Sequence, residues 1–147
     1  LSSSSAASDV YKRQRGRVSL EGALEQAAKA RGRSYSPDPN LEAGFFYRAD
    51  HFAFARMGVP AITAGPGLDM LEGGVAAGKA LRDKYFAECY HQPCDRWTPQ
   101  WDASGHAADT TLVYDVGVAL ANGRQWPSWQ DGSEFKAIRD KSDAARK

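Results

Sequence analysis

Between Ser19 and Gly32 the apolar positions Leu20, Leu24, Ala27 and Ala28 recur at helical spacing, with Glu21, Glu25 and Lys29 on the opposite side. This pattern predicts an amphipathic surface helix, with Ser19 as its N-cap and Gly32 ending it. Glu25 and Lys29 form an ordinary i,i+4 surface pair without catalytic meaning. Ser36-Pro37-Asp38-Pro39-Asn40 reads as a rigid loop. The period changes after Gly44. Phe45-Phe46-Tyr47 predicts a short aromatic strand, Arg48 to Asp50 a turn, the next residues a two-turn helix, and Val59 to Ala64 a buried strand. Asp50 is placed to cap that helix and Gly58 to end it, while Phe52, Phe54 and Met57 read as core or pocket wall. Residues 65–78 carry Gly65, Gly67, Gly73, Gly74 and Gly78 but no phosphate-binding pattern, which predicts a mobile loop at a site rim.

Lys79 to Glu88 predicts a short polar helix, and Trp97, Pro99 and Trp101 an irregular segment. A longer helix is expected from about His106 to Ala121, capped by Asp102 or Ser104 and ended by Asn122-Gly123. Its buried stripe is Leu112, Val113, Val116, Ala119 and Leu120, and His106 falls on the solvent side with a structural role only. Trp126 and Trp129 are expected to lie over the body, followed by a polar helix from Glu134 to Lys147. Strand and helix signals alternate, so the fold class is α/β.

At 147 residues the chain has the size of one ordinary domain. A net charge of +1 gives no electrostatic case for nucleic acid, and no apolar run approaches the ~20 residues of a membrane span. The sequence says nothing of oligomeric state. Leu1 to Ser8 is a serine- and alanine-rich stretch without periodicity or the features of a signal peptide. Asp9-Val10-Tyr11-Lys12-Arg13-Gln14 is what the transposon end used in sequencing libraries encodes when read in frame. Residues 1–14 are therefore expected to be a sequencing-adapter artefact and disordered, the alternative being a basic arm, and residues 15–147 to be the C-terminal part of a larger catalytic domain.

The chemistry concentrates in Cys89-Tyr90-His91-Gln92-Pro93-Cys94-Asp95. Imidazole is the commonest protein ligand for zinc, and a nearby carboxylate can fix its tautomer or cap the next turn. Cys89 and Cys94 are close enough for a local disulfide, which is the preferred reading over free thiols or soft metal ligands. Their spacing is longer than CxxC and there is no second cysteine pair. Taken alone, His91 reads first as a solvated histidine in a surface turn, and Arg48, Asp50 and His51 read equally as a cap with a salt bridge.

Two ordered signatures resemble the C-terminal third of an M28-type zinc aminopeptidase of the bacterial, secreted kind. One is Arg48-Ala49-Asp50-His51 leading to Gly58-Val59-Pro60-Ala61; the other is Tyr90-His91 with Asp95. Trp101-Asp102-Ala103-Ser104-Gly105 and Trp126-Pro127-Ser128-Trp129 extend the similarity over about residues 17–135. The resemblance implies a partial mixed β-sheet flanked by helices, part of an α/β/α sandwich. It implies a peptide substrate, periplasmic or extracellular location, and two zinc ions that generate a hydroxide and polarise the scissile carbonyl. His91 would be the last zinc ligand and Tyr90 the donor to the developing oxyanion. Arg48 would line the substrate pocket, with Asp50 and His51 beside or behind it. Cysteines like Cys89 and Cys94 flank this histidine in secreted members. The family's other four metal-ligating side chains and its glutamate base have no counterpart, so they are expected upstream of Arg15 and this chain alone is expected to be inactive. Two alternatives are a glutaminyl-cyclase-like zinc acyltransferase and a non-catalytic binding domain of the same fold.

Overall fold

The computed structural model describes residues 7, 9–12, 18–36, 38 and 40–145, without the side chains of residues 11 and 12. Its centre is a three-stranded mixed sheet in the order β2-β1-β3, formed by β1 (Asp9–Lys12), β2 (Ser34–Ser36) and β3 (Ala64–Pro66). β1 runs parallel to β2, with Val10 opposite Tyr35, and antiparallel to β3, with Tyr11 opposite Gly65. The helices are α1 (Leu20–Ala30), α2 (Phe52–Arg56), α3 (Gly74–Glu88), α4 (Ser104–Asn122) and α5 (Lys136–Ala144). The mixed α/β class and the helix-flanked sheet agree with the sequence-based expectation.

Two apolar clusters make the core. In the first, Val10 of β1 packs with Leu24 and Ala28 of α1 and Leu112 and Val116 of α4. Leu20, Leu24 and Ala28 are the buried residues of α1, one every four positions, so its stripe is the expected one. Arg33–Asp109 at 2.6 Å and Arg31–Asp115 tie the chain after α1 to α4. The second cluster joins Val18, Leu20, Phe46, Ala55, Trp129 and Phe135. Ile62 and Leu120 pack against both clusters.

Several expectations change. Disorder of residues 1–14 does not hold for Asp9–Lys12, which form the central strand. Val10 is fully buried there, and the Asp9 carboxylate accepts hydrogen bonds from the Ser36 hydroxyl and the Asp69 N–H. Residues 1–6, 8, 13 and 14 lie outside the described residues. Phe45-Phe46-Tyr47 is not a strand but a 3-10 helix, Phe45–Arg48, entered from Gly44 at φ +62°. That turn sends Phe46 into the second core and leaves Tyr47 half exposed. Of the expected strand Val59 to Ala64, only Ala64 joins the sheet, because it faces Lys12, the last residue of β1. Residues 65–78 are not one loop. Gly67 sits so close to Asp9 that a Cβ would lie 1.8 Å from Oδ1, and α3 begins at Gly74.

Ser19 does not cap α1. Its hydroxyl accepts from the Ser128 N–H and its own N–H donates to the Ser128 carbonyl, both at 2.9 Å. Asp50 makes no side-chain cap on α2, whose N-cap position is His51. Asp102 accepts from the Ser104 N–H at 2.9 Å, but the N-cap position of α4 is Ala103 and carries no side-chain cap, with Ser104 the first residue of the helix. In α4, Val113 and Ala119 are exposed and the buried stripe narrows to Leu112 and Val116 with Leu120 partly covered. Trp129 is buried, whereas Trp126 stays 79% exposed, so only one of the two tail tryptophans covers the body. The last helix is shorter than expected and buries Arg139.

Two glycines give opposite tests. Gly22 lies on the exposed side of α1 with nothing within 4 Å of an added Cβ. Gly58, at φ +82°, would put a Cβ 2.9 Å from the Arg139 backbone nitrogen. Urea unfolding should show Gly22→Ala stabilising by about 0.5–1 kcal/mol and Gly58→Ala destabilising by more than about 1 kcal/mol.

Candidate active site

The site begins at the end of α3. The Tyr85 carbonyl accepts from the N–H groups of both Cys89 and Tyr90 at 2.9 Å, which ends the helix and sets the entry of the loop. Cys89 and Cys94 are joined in a disulfide with Cα atoms 5.4 Å apart. The bridge encloses Tyr90 and His91, as the spacing suggested. Tight backbone turns follow, with Gln92 N–H to Cys89 O at 2.9 Å and Asp95 N–H to Gln92 O at 2.8 Å.

His91 is exposed and has φ +59°, a left-handed conformation that no other non-glycine residue adopts among the described residues. For a residue with a Cβ this costs about 1–2 kcal/mol, which the surroundings must supply. Its ring stacks on Tyr90, with centroids 3.9 Å apart and planes 21° from parallel. Asp95 does not reach the imidazole to fix a tautomer. It accepts instead from the His91 backbone N–H at 3.2 Å and from the Tyr85 hydroxyl at 3.0 Å. Burial, and then this carboxylate, push the Tyr85 hydroxyl pKa upward.

Arg48 reaches the same surface through a row of rings. In a 3-10 helix residues i and i+3 eclipse, and the Arg48 guanidinium accordingly lies over the Phe45 ring, 5.5 Å from its centroid. Phe45 meets Phe86 of α3 at 5.8 Å, and Phe86 meets Tyr90 at 4.8 Å. The two signatures, far apart in sequence, are thus continuous in space. Sequence reasoning missed this row; its one local signal was the aromatic Tyr85-Phe86 pair at the end of a helix otherwise read as polar.

Asp50 and His51 diverge from that row. Asp50 is exposed on the turn. His51 packs on Phe46 at 4.7 Å, and its Nδ1 is 2.9 Å from the Thr63 hydroxyl, so it links the turn to the chain leading into β3. Its role in the geometry is to hold the segment that carries Arg48.

The described residues do not fit a two-zinc centre. Among them no group of three or more His, Cys, Asp or Glu side chains is arranged to hold a metal. Both thiols are consumed in the disulfide, which removes the soft-ligand alternative. His91 is a single imidazole.

The sequence model of peptidase family M28 matches residues 1–114, more than three quarters of the chain. The chain belongs to peptidase family M28. The match includes the arginine and tyrosine-histidine signatures of this M28 chain and the strand Asp9–Lys12, and it ends within α4. The Trp126 to Trp129 tail lies outside it. Neither the curated proteins nor the solved structures include a match to the chain. Membership establishes a peptidase at the family level, in a family that is generally zinc-dependent.

His51 gives a pH test. Burial lowers its pKa from 6.5, and the charge of Asp50 only partly opposes this. The unfolded chain therefore binds more protons between the folded pKa and about 6.5, so stability rises with pH across that window and falls on acidification. Urea midpoints measured from about pH 8 down to pH 5 should decline in the wild type as pH drops below about 6.5. His51→Gln should flatten this part of the profile.

Proposed function

We propose that this chain is part of a zinc-dependent exopeptidase, an aminopeptidase that removes N-terminal residues from peptides. The observation that carries the reading is the stacked Tyr90–His91 pair, held on a closed loop and joined to Arg48 by the Phe45–Phe86 row, in a chain of family M28. In this reading His91 offers one nitrogen to metal. Tyr90 donates its hydroxyl to the oxyanion that forms on the substrate carbonyl, where a preorganised donor stabilises developing charge. Arg48 hydrogen-bonds substrate oxygens, with His51 supporting the turn that carries it and Asp50 exposed on that turn.

The remaining metal ligands and the general base are proposed to lie in sequence upstream of Arg15. Residues 15–147 would then belong to the C-terminal part of the catalytic domain. A single imidazole is too few ligands for tight zinc binding, so this chain alone would be inactive. The Cys89–Cys94 disulfide suits a periplasmic or extracellular enzyme, and no helix among the described residues is long and apolar enough to cross a membrane.

The first test is resequencing the source DNA upstream of Arg15 by a method that avoids transposon ends. The encoded extended protein should hydrolyse an aminoacyl p-nitroanilide, lose activity to a chelator and regain it with zinc. The 147-residue chain should be inactive under the same conditions. In the extended protein, Tyr90→Phe should lower kcat by about 10²–10³-fold, or ~2.7–4 kcal/mol. Turnover by the 147-residue chain alone, or an upstream sequence without further ligands, would overturn the proposal.

A further inference from the structure

The loop from Cys89 to Asp95 is closed twice, once by the disulfide and once by Asp95. The disulfide joins Cys89 to Cys94 and so restrains the ends of the segment. The left-handed backbone at His91, φ +59°, is disfavoured by its own Cβ and has to be imposed from outside. Two groups hold it there: the turn in which the Cys89 carbonyl accepts from the Gln92 N–H, with His91 at its third position, and the Asp95 carboxylate. Oδ2 accepts from the His91 N–H at 3.2 Å, and both carboxylate oxygens lie 3.0 Å from the Tyr85 hydroxyl.

Tyr85 thus holds the loop at both ends. Its carbonyl takes the N–H groups of Cys89 and Tyr90, and its hydroxyl takes the carboxylate of Asp95. An ionised carboxylate is a stronger acceptor than a neutral one for both partners. The His91 ring lies on Tyr90, which in turn packs against Tyr85 and Phe86.

We propose that Asp95, anchored to α3 by the Tyr85 hydroxyl, is the positioning residue for His91 and holds the imidazole in one orientation. Its functional meaning rests on the reading of His91 as a site residue. The geometry of the clasp does not.

The test is NMR on the isotopically labelled 147-residue chain, comparing wild type, Asp95→Ala, Asp95→Asn and Tyr85→Phe. The readouts are the His91 N–H order parameter and the chemical shifts of the His91 ring protons, which the stacked Tyr90 ring moves upfield. In the wild type the order parameter should be about 0.85, falling below about 0.6 in Asp95→Ala. The ring protons should move to the shifts of an unstacked histidine. Asp95→Asn keeps an acceptor oxygen and should retain both signatures. Tyr85→Phe should lose part of each, because the carboxylate is then tied to α3 no longer.

Methyl shifts of Leu112 and Val116 report whether the core is intact. If Asp95→Ala fails to fold, Tyr85→Phe carries the test, since it removes one half-exposed hydroxyl. Wild-type readouts in a folded Asp95→Ala, or in Tyr85→Phe where the alanine variant is unfolded, would overturn the proposal. Loss of both signatures in Asp95→Asn would overturn it as well. Neither readout needs zinc or turnover. An extended enzyme that stays active with His91→Ala would remove the proposed function and leave the clasp standing.

Discussion

Burying the indole of Trp129 is the constraint on which the second core depends. The side chain is 2% exposed, and its N–H must find an acceptor, which is the Gly58 carbonyl at 3.1 Å. Leaving such a donor unpaired would cost about 1–3 kcal/mol. The requirement brings the tail beneath the Gly58 turn, and the Ser19–Ser128 hydrogen bonds fasten that tail to the start of α1. Phe46 and Phe135 close around the indole at 6.5 and 5.0 Å. Once Phe46 points inward, the 3-10 turn that carries it directs Phe45 and Arg48 together to another side. The orientation of a candidate substrate-binding residue thus follows from the packing of a tryptophan about eighty positions later in the chain.

The other half of the site is held by a different kind of interaction. Gly78 is the only buried residue of α3, and a Cβ there would come within 2.0 Å of the Leu68 carbonyl oxygen, so the helix touches the loop after β3 backbone to backbone. Beyond that contact its outward side is polar, with Lys79 paired to Asp83 and Arg82 alongside. Tyr90 and His91 therefore receive little help from an apolar core. Their order comes from a covalent bridge, two main-chain hydrogen bonds to the Tyr85 carbonyl, the Asp95 carboxylate and a ring row. Local ties suit a loop that must present polar groups at a surface, where burial would cost those groups their hydration.

Family M28 membership and these contacts bear on different questions. Membership makes the chain a peptidase by family, and the geometry shows which of its residues share a surface. Arg48, Tyr90 and His91 do, while His51 has turned toward the core and Asp50 toward solvent. The misfit between a zinc-dependent family and a chain whose described residues gather no metal-holding group concerns the ligand set alone. It leaves the positions of Tyr90 and Arg48 untouched.

Much of this was determined by the sequence itself. Helical spacing marked Leu20, Leu24 and Ala28, Gly32 and Gly58 marked helix ends with positive φ, and Cys89 and Cys94 marked a loop short enough to bridge. These signals are local: each depends on neighbours within about two helical turns. The tertiary structure decided what local pattern leaves open. Phe45-Phe46-Tyr47 has the composition of a strand, yet among the described residues none pairs with it as a strand, while the Trp129 pocket takes Phe46. Val113 and Ala119 are apolar like Leu112, but α1 covers only a narrow stripe of α4. Ser19 had the right identity for a cap, and a backbone more than a hundred residues away bonded it first. Asp95 was legible as a carboxylate near a histidine. That it would hold the histidine's backbone rather than its ring depended on where Tyr85 stood, because a hydrogen bond is set by position in space and the sequence specifies only position in the chain.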